Sequence, residues 1–133
     1  MRYLLDTNIF IAALKGAAPV RARLAEVSAE AVLLSPVVLG ELELGVAKSA
    51  ARERNAARLA AIAGELEVPA IDSGVAQHYA DIRAHLERHG TPIGSNDYWI
   101  AAQARALGVV MVTDNEVEFS RVPGLVVENW CRP

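Results

Sequence analysis

Four short apolar runs punctuate the chain, at residues 2–5 (RYLL), 31–34 (AVLL), 109–112 (VVMV) and 125–127 (LVV), and none alternates apolar with polar residues as a half-wet strand would. Strands apolar on both faces belong in a sheet covered on both sides, and such sheets are built from parallel strands whose connections carry helices across the faces. The intervening sequence supplies those helices. PVRARLAEV follows from Pro19, and PVVLGELELGVAKS opens at Ser35-Pro36, an N-cap residue followed by proline at the first helical position. Residues 50–66 are rich in Ala, Arg, Glu and Leu, and read as a third helix. From Ser73 to His89, Val75, Tyr79, Ile82 and Leu86 recur on one helical face, with Gly90 placed to end it. A fifth helix is expected from about Asp97 to Leu107, capped by Ser95 or Asn96 and stopped by Gly108, while Val68–Ile71 is a candidate further strand. With 133 residues, 53% of them hydrophobic, and no linker, repeat or low-complexity tract, the expectation is an α/β fold of one domain, 1–133, around a central, mainly parallel sheet.

In open parallel sheets the functional crevice lies beyond the carboxyl ends of the strands, where loops converge on helix N-termini. Of the chain's five aspartates, three sit at such places: Asp6 directly after YLL, Asp97 at the start of the fifth helix, and Asp114 after VVMVT. Glu41 is a fourth acid, six residues after Ser35 and so in the second turn of its helix, where a long carboxylate reaches the same crevice. Taken singly, each has an ordinary reading as a helix cap, a turn former or a solvated helix residue. Together they repel one another, and that repulsion costs stability unless a cation sits among them. All-oxygen donors favour Mg²⁺ or Mn²⁺ over zinc, and Mg²⁺ typically takes one or two protein carboxylates, leaving room for water and phosphate. A divalent ion so held lowers the pKa of a bound water and offsets charge on a leaving oxygen, so the expected chemistry is hydrolytic cleavage of a nucleic acid strand. Thr7 and Asn8 in LLDTN, and Thr113 and Asn115 in MVTDN, then hold the carboxylates or touch a phosphate. Local turn bonding is the other reading for Asn8 and Asn115.

Composition narrows the choice. A formal charge of −3 and a pI near 5.6 argue against nucleic-acid binding by general phosphate neutralisation, so phosphate contacts must be local or made through a metal. Cys131 is the only cysteine, which excludes an internal disulfide and a Cys-rich zinc site and points to a reducing cytoplasm. Asp6 and Asn8 interrupt the N-terminal apolar stretch short of a signal peptide's core, and no run is long enough to cross a bilayer.

LLDTN, SPVVLGELELG at 35–45, PIGSNDYWIAAQARALG at 92–108 and VTDNEVEFSRVPGLVVENW at 112–130 together resemble the PIN-domain ribonucleases, most closely the VapC toxins of bacterial type II toxin–antitoxin systems. The resemblance runs in order over nearly the whole chain. It implies a PIN-like α/β/α sandwich, Mg²⁺- or Mn²⁺-dependent endoribonuclease activity on RNA, homodimerisation, and inhibition by a cognate VapB-like antitoxin. By position it makes Asp6 and Asp97 the principal metal ligands and Glu41 the third acid of a quartet. At the fourth place the chain departs from the pattern: many relatives read Thr-x-Asn or Thr-x-Asp, which aligns Asn115 there, whereas Asp114 is the acid available here, with Glu116 and Glu118 close by.

Other readings compete. Receiver domains of signalling systems use clustered acids and Mg²⁺ on a doubly wound sheet, but they need a lysine at the end of the last strand, and the only lysines here are Lys15 and Lys48. Neither glycine fingerprint of the dinucleotide-binding or P-loop proteins is present. A PIN-like module that is catalytically inactive and only binds is the remaining alternative. His78, His85 and His89 read as surface residues of one helix in preference to metal ligands, and Tyr98 and Trp99 as core packing in preference to base stacking. Arg121 is a candidate contact to RNA phosphate or an antitoxin carboxylate. Helices 19–28 and 36–47 carry Leu24, Val27, Leu39, Leu42 and Val46, more apolar surface than one small sheet face needs, which suggests a docking surface for a second copy and for an antitoxin.

Overall fold

The computed structural model describes residues 1–132. Its element order is β1 (Tyr3–Leu5), α1 (Thr7–Leu14), α2 (Ala18–Glu26), a 3-10 turn (Ala29–Ala31), β2 (Val32–Leu33), α3 (Pro36–Lys48), α4 (Arg52–Ala63), α5 (Ser73–Arg88), α6 (Ser95–Leu107), β3 (Val110–Val112), α7 (Glu116–Phe119) and β4 (Val127–Glu128). Every strand pairing is parallel, in the order β2-β1-β3-β4, with Leu4 opposite Leu33 on one side and Met111 on the other. Leu4, Leu5, Leu33, Met111 and Val112 are buried, as uniformly apolar strands require.

The strand order decides where a site can form. From β1 the chain moves to β2 on one side, then returns past β1 to β3 and β4 on the other, so the connections diverge between the carboxyl ends of β1 and β3. Asp6 follows β1 and Thr113 follows β3, and the gap between these ends is closed by the Asp6 N–H donating to the Val112 carbonyl at 2.9 Å.

Local differences from the sequence-based expectation each have a cause. Helix α1 went unread because IFIAAL has no polar stripe, and Ile9 and Phe10 are buried in the core. Residues 68–71 do not form a strand: Glu67 makes a single bridge to Leu33, Pro69 has no N–H to extend a ladder, and its carbonyl accepts instead from Gln103 Nε2 at 2.8 Å. Helix α6 begins at Ser95 with Gly94 as its uncapped N-cap residue, so neither Ser95 nor Asn96 caps it. Of the apolar residues on α2 and α3 expected to be surplus, Leu42 is buried and Leu24, Val27, Leu39 and Val46 pack half-buried against the core; Leu44, 58% exposed, is the large apolar side chain that α3 shows to solvent.

Candidate active site

The four elements around the crevice each contribute an acid. Asp6 caps α1, with Oδ1 accepting from the Ile9 N–H at 3.3 Å and Oδ2 accepting from Thr113 Oγ1 at 2.5 Å, which ties the ends of β1 and β3 together. Its ordinary role as a cap and its candidate role as a ligand therefore coexist. Glu41 on α3 is held from two walls at once: Thr7 Oγ1 donates to Oε2 at 2.6 Å and Asn96 Nδ2 donates to Oε1 at 3.0 Å. Asp97 stands in the first turn of α6, beside Gly94, where a Cβ would sit 3.1 Å from Asp97 Oδ2. The absence of a side chain at Gly94 leaves the carboxylate its space.

The electrostatics match this crowding. Burial pushes the Asp97 pKa up to about 6, helped by the charges of Glu118, Asp6 and Glu41. Burial also raises Asp6, against the lowering effect of its bonds from Thr113 and Ile9, and Asp114 adds to the rise. Among the described residues none of Asp6, Glu41, Asp97, Asp114 or Glu118 has an ion-pair partner, although Glu116 on the same short helix as Glu118 is paired with Arg132. Mutually repelling carboxylates, Asp6 buried and Glu41, Asp97 and Glu118 half-buried, with no protein cation paired to them, form a donor set that fits a hard divalent ion. Asp6, Glu41, Asp114 and Glu118 are each turned toward a donor of their own, and no three of the acids among the described residues are drawn close enough to enclose one ion as they stand.

The fourth acid is where sequence and structure part. Asp114 is exposed, 3.5 Å from Asn8 Nδ2, and it bears on Asp6 but is not among the charges that raise Asp97. Glu118 is the acid whose charge acts most strongly on Asp97, and Asn115 Nδ2 holds its Oε2 at 2.8 Å. Asn115 thus serves that position by carrying a carboxylate, while its own N–H donates to Thr113 Oγ1 at 2.9 Å. Sequence reasoning noticed Glu118 only as a neighbour; α7, four residues long, brings it inward, and the Asn-x-x-Glu spacing was the signal available. Asn96 was read as a cap, and the earlier start of α6 is what frees its amide for Glu41.

The remaining candidates lie elsewhere. His78 accepts from Arg105 Nε at 2.8 Å, and His85 and His89 stack on each other at 4.2 Å. Trp99 stacks on Tyr79 at 3.9 Å, Tyr98 Oη accepts from the Ile93 N–H, and Arg121 donates to the Pro92 carbonyl at 3.2 Å. Lys15 caps the C-terminus of α1 and Lys48 ends α3, so neither stands at a strand end as a receiver domain requires.

Comparison with known proteins agrees with this fold. The profile of the PIN domain matches residues 3–125. The chain belongs to the PIN-domain family, among its VapC ribonucleases. This VapC-type PIN domain is 39% identical over 132 residues to a tRNA(fMet)-specific endonuclease VapC of Salmonella typhimurium, covering 98% of this chain and 99% of that one. It is 36% identical over 132 residues to Ribonuclease VapC2 of Rickettsia felis, covering 98% of each chain. Its fold superimposes with a TM-score of 0.92 on DNA-bound VapBC from Salmonella typhimurium, at 39% identity, covering 98% of this chain and 99% of that one. Against VapBC2 from Rickettsia felis, solved with a DNA fragment from their promoter, the TM-score is 0.91 at 36% identity, with the same coverage. PIN-domain VapC nucleases in general depend on a divalent metal.

Proposed function

We propose that this PIN domain, acting as one unit over residues 1–133, is a Mg²⁺- or Mn²⁺-dependent endoribonuclease toxin of the cytoplasm, held in check by a VapB-like antitoxin. The observation that carries the reading is the pair Asp6 and Asp97: Asp6 buried and Asp97 half-buried, both raised, with the charge of Asp6 adding to the rise of Asp97, and neither paired with a cation among the described residues. The relatives' names and the VapBC complexes support the activity and the partner. Homodimerisation belongs to the same proposal, supported by apolar side chains left at the surface, Leu44 at 58% and Val126 at 60% exposed. Among the described residues no helix is long and apolar enough to cross a membrane.

Asp6 and Asp97 are the residues that would hold the ion. When bound, it supplies a more acidic water and a counter-charge for the phosphodiester. The chain's own groups supply the rest. Thr113 and the Ile9 N–H fix the Asp6 carboxylate in one rotamer, so its orientation is set before substrate arrives. Thr7 and Asn96 suspend Glu41 between the β1 and α6 walls, placing it to accept a proton from an attacking water. Asn115 aims Glu118 at the Asp97 side, and Asp114 with Asn8 stands at the exposed mouth, where both can meet the strand's backbone.

The test is cleavage of RNA by the purified chain in Mg²⁺, with tRNA(fMet), the substrate named for the Salmonella relative, among the RNAs offered. Asp6→Asn is expected to abolish cleavage, and the growth arrest on expression, while the circular dichroism spectrum stays that of the parent. Full-rate cleavage by a folded Asp6→Asn protein overturns the assignment.

A further inference from the structure

A groove of about 360 Å³ runs between α1, α3 and α4. Leu42 and Leu59 form its buried floor, Ile11 and Val46 flank them, and the exposed Lys15 and Arg58 stand at its rim. One of its walls is Glu41, the same side chain that Thr7 and Asn96 suspend over the acidic crevice, so the groove adjoins the candidate active site at that residue.

The charges at the rim set this groove apart. Arg2, Arg23, Arg83, Arg105 and Arg132 are all committed to carboxylates, but Lys15 and Arg58 have no such partner among the described residues. Neither do Lys48, Arg52 and Arg54, which end α3 and open α4. In a chain of net charge −3, two cations without an ion-pair partner on the rim of one groove, with more on the α3 and α4 ends that follow, are a local attraction for phosphate. An apolar floor between cations is also the pattern that suits single-stranded nucleic acid, whose unstacked bases seek apolar contact while its backbone seeks positive charge.

We propose that this groove is a subsite for the substrate: it seats the single-stranded RNA flanking the scissile phosphate, with Lys15 and Arg58 on backbone phosphates and the floor under an unstacked base. The proposal rests on the ribonuclease reading above and adds to it the path of the strand.

The experiment measures binding of a labelled single-stranded RNA oligonucleotide to the full chain carrying Asp6→Asn, in the absence of divalent metal, across a range of salt concentrations. Lys15→Gln and Arg58→Gln, added singly, should each weaken binding roughly three- to tenfold and reduce the slope of log affinity against log salt by about 0.7, the share of one phosphate contact on a single strand. Arg88→Gln, which removes an unpaired cation from α5 outside the groove, should leave that slope unchanged. Gly45→Lys adds a cation where a Cβ meets nothing within 4 Å and replaces a helix-interior glycine, so it should fold readily, tighten binding and steepen the slope. Parent-like affinity and slope in both glutamine variants overturn the proposal, as does a loss no larger than that of Arg88→Gln. If the glutamine variants instead lose affinity for the co-expressed antitoxin while RNA binding is unmoved, the groove is a protein-docking surface and the proposal fails. Failure of the ribonuclease reading would show separately, as RNA left uncut by the wild-type chain in Mg²⁺.

Discussion

Asp97 gives the site a pH signature that other acids on the surface lack. Its pKa near 6 in the folded chain lies above the ordinary 3.8, so between those values the folded state keeps a proton that the unfolded state has released. Stability contributed by this group is therefore fully present below about pH 4 and is lost as pH rises through 6. In metal-free protein, scanning calorimetry should show a melting temperature that declines across that window, more steeply than in Asp97→Asn; excess Mg²⁺ should restore stability chiefly above pH 6, where the carboxylate is charged. A wild-type profile parallel to that of Asp97→Asn would show that the group is not perturbed. Asn96 makes a second prediction at this scale. Asn96→Ala releases Glu41 Oε1 while leaving an exposed helix position, and losses of this kind typically cost about 10- to 100-fold in metal affinity or activity. Cleavage rate and Mn²⁺ titration read it, and wild-type values in both would remove Asn96 from the site.

The elements explain why some of this was legible in the sequence and some was not. Asp6, Glu41 and Asp97 were found because strand ends and a Ser-Pro helix start fix where such residues fall, to within a turn. Helix α1 carries no polar stripe to report its period, and α7 is a single turn, too short to have one. Glu118 and Asn96 were missed because one depends on α7 existing and the other on α6 starting two residues earlier than an Asn96 cap would set it. The end of α6 was legible, because Gly108 adopts φ +67 in the left-handed region, as a helix C-terminus asks. A Cβ there meets nothing within 4 Å, so Gly108→Ala should cost only the conformational penalty, roughly 1–2 kcal/mol. Denaturant unfolding measures it, and an unchanged midpoint would mean that the turn relaxes at no cost.

At the scale of the whole molecule, the parallel order β2-β1-β3-β4 brings acids distant in the chain to one pole, where none of Asp6, Glu41, Asp97, Asp114 and Glu118 has an ion-pair partner among the described residues. The fold accepts their repulsion, which a divalent cation would offset in the working protein. The most direct check is Mn²⁺ binding by electron paramagnetic resonance on the full chain, run in parallel with RNA cleavage. The wild-type chain should bind Mn²⁺ and cut RNA, while folded Asp6→Asn and Asp97→Asn should each lose binding by at least about tenfold and cease to cut. Folded variants that bind Mn²⁺ like the wild type, or that cleave without it, would contradict the account at its centre.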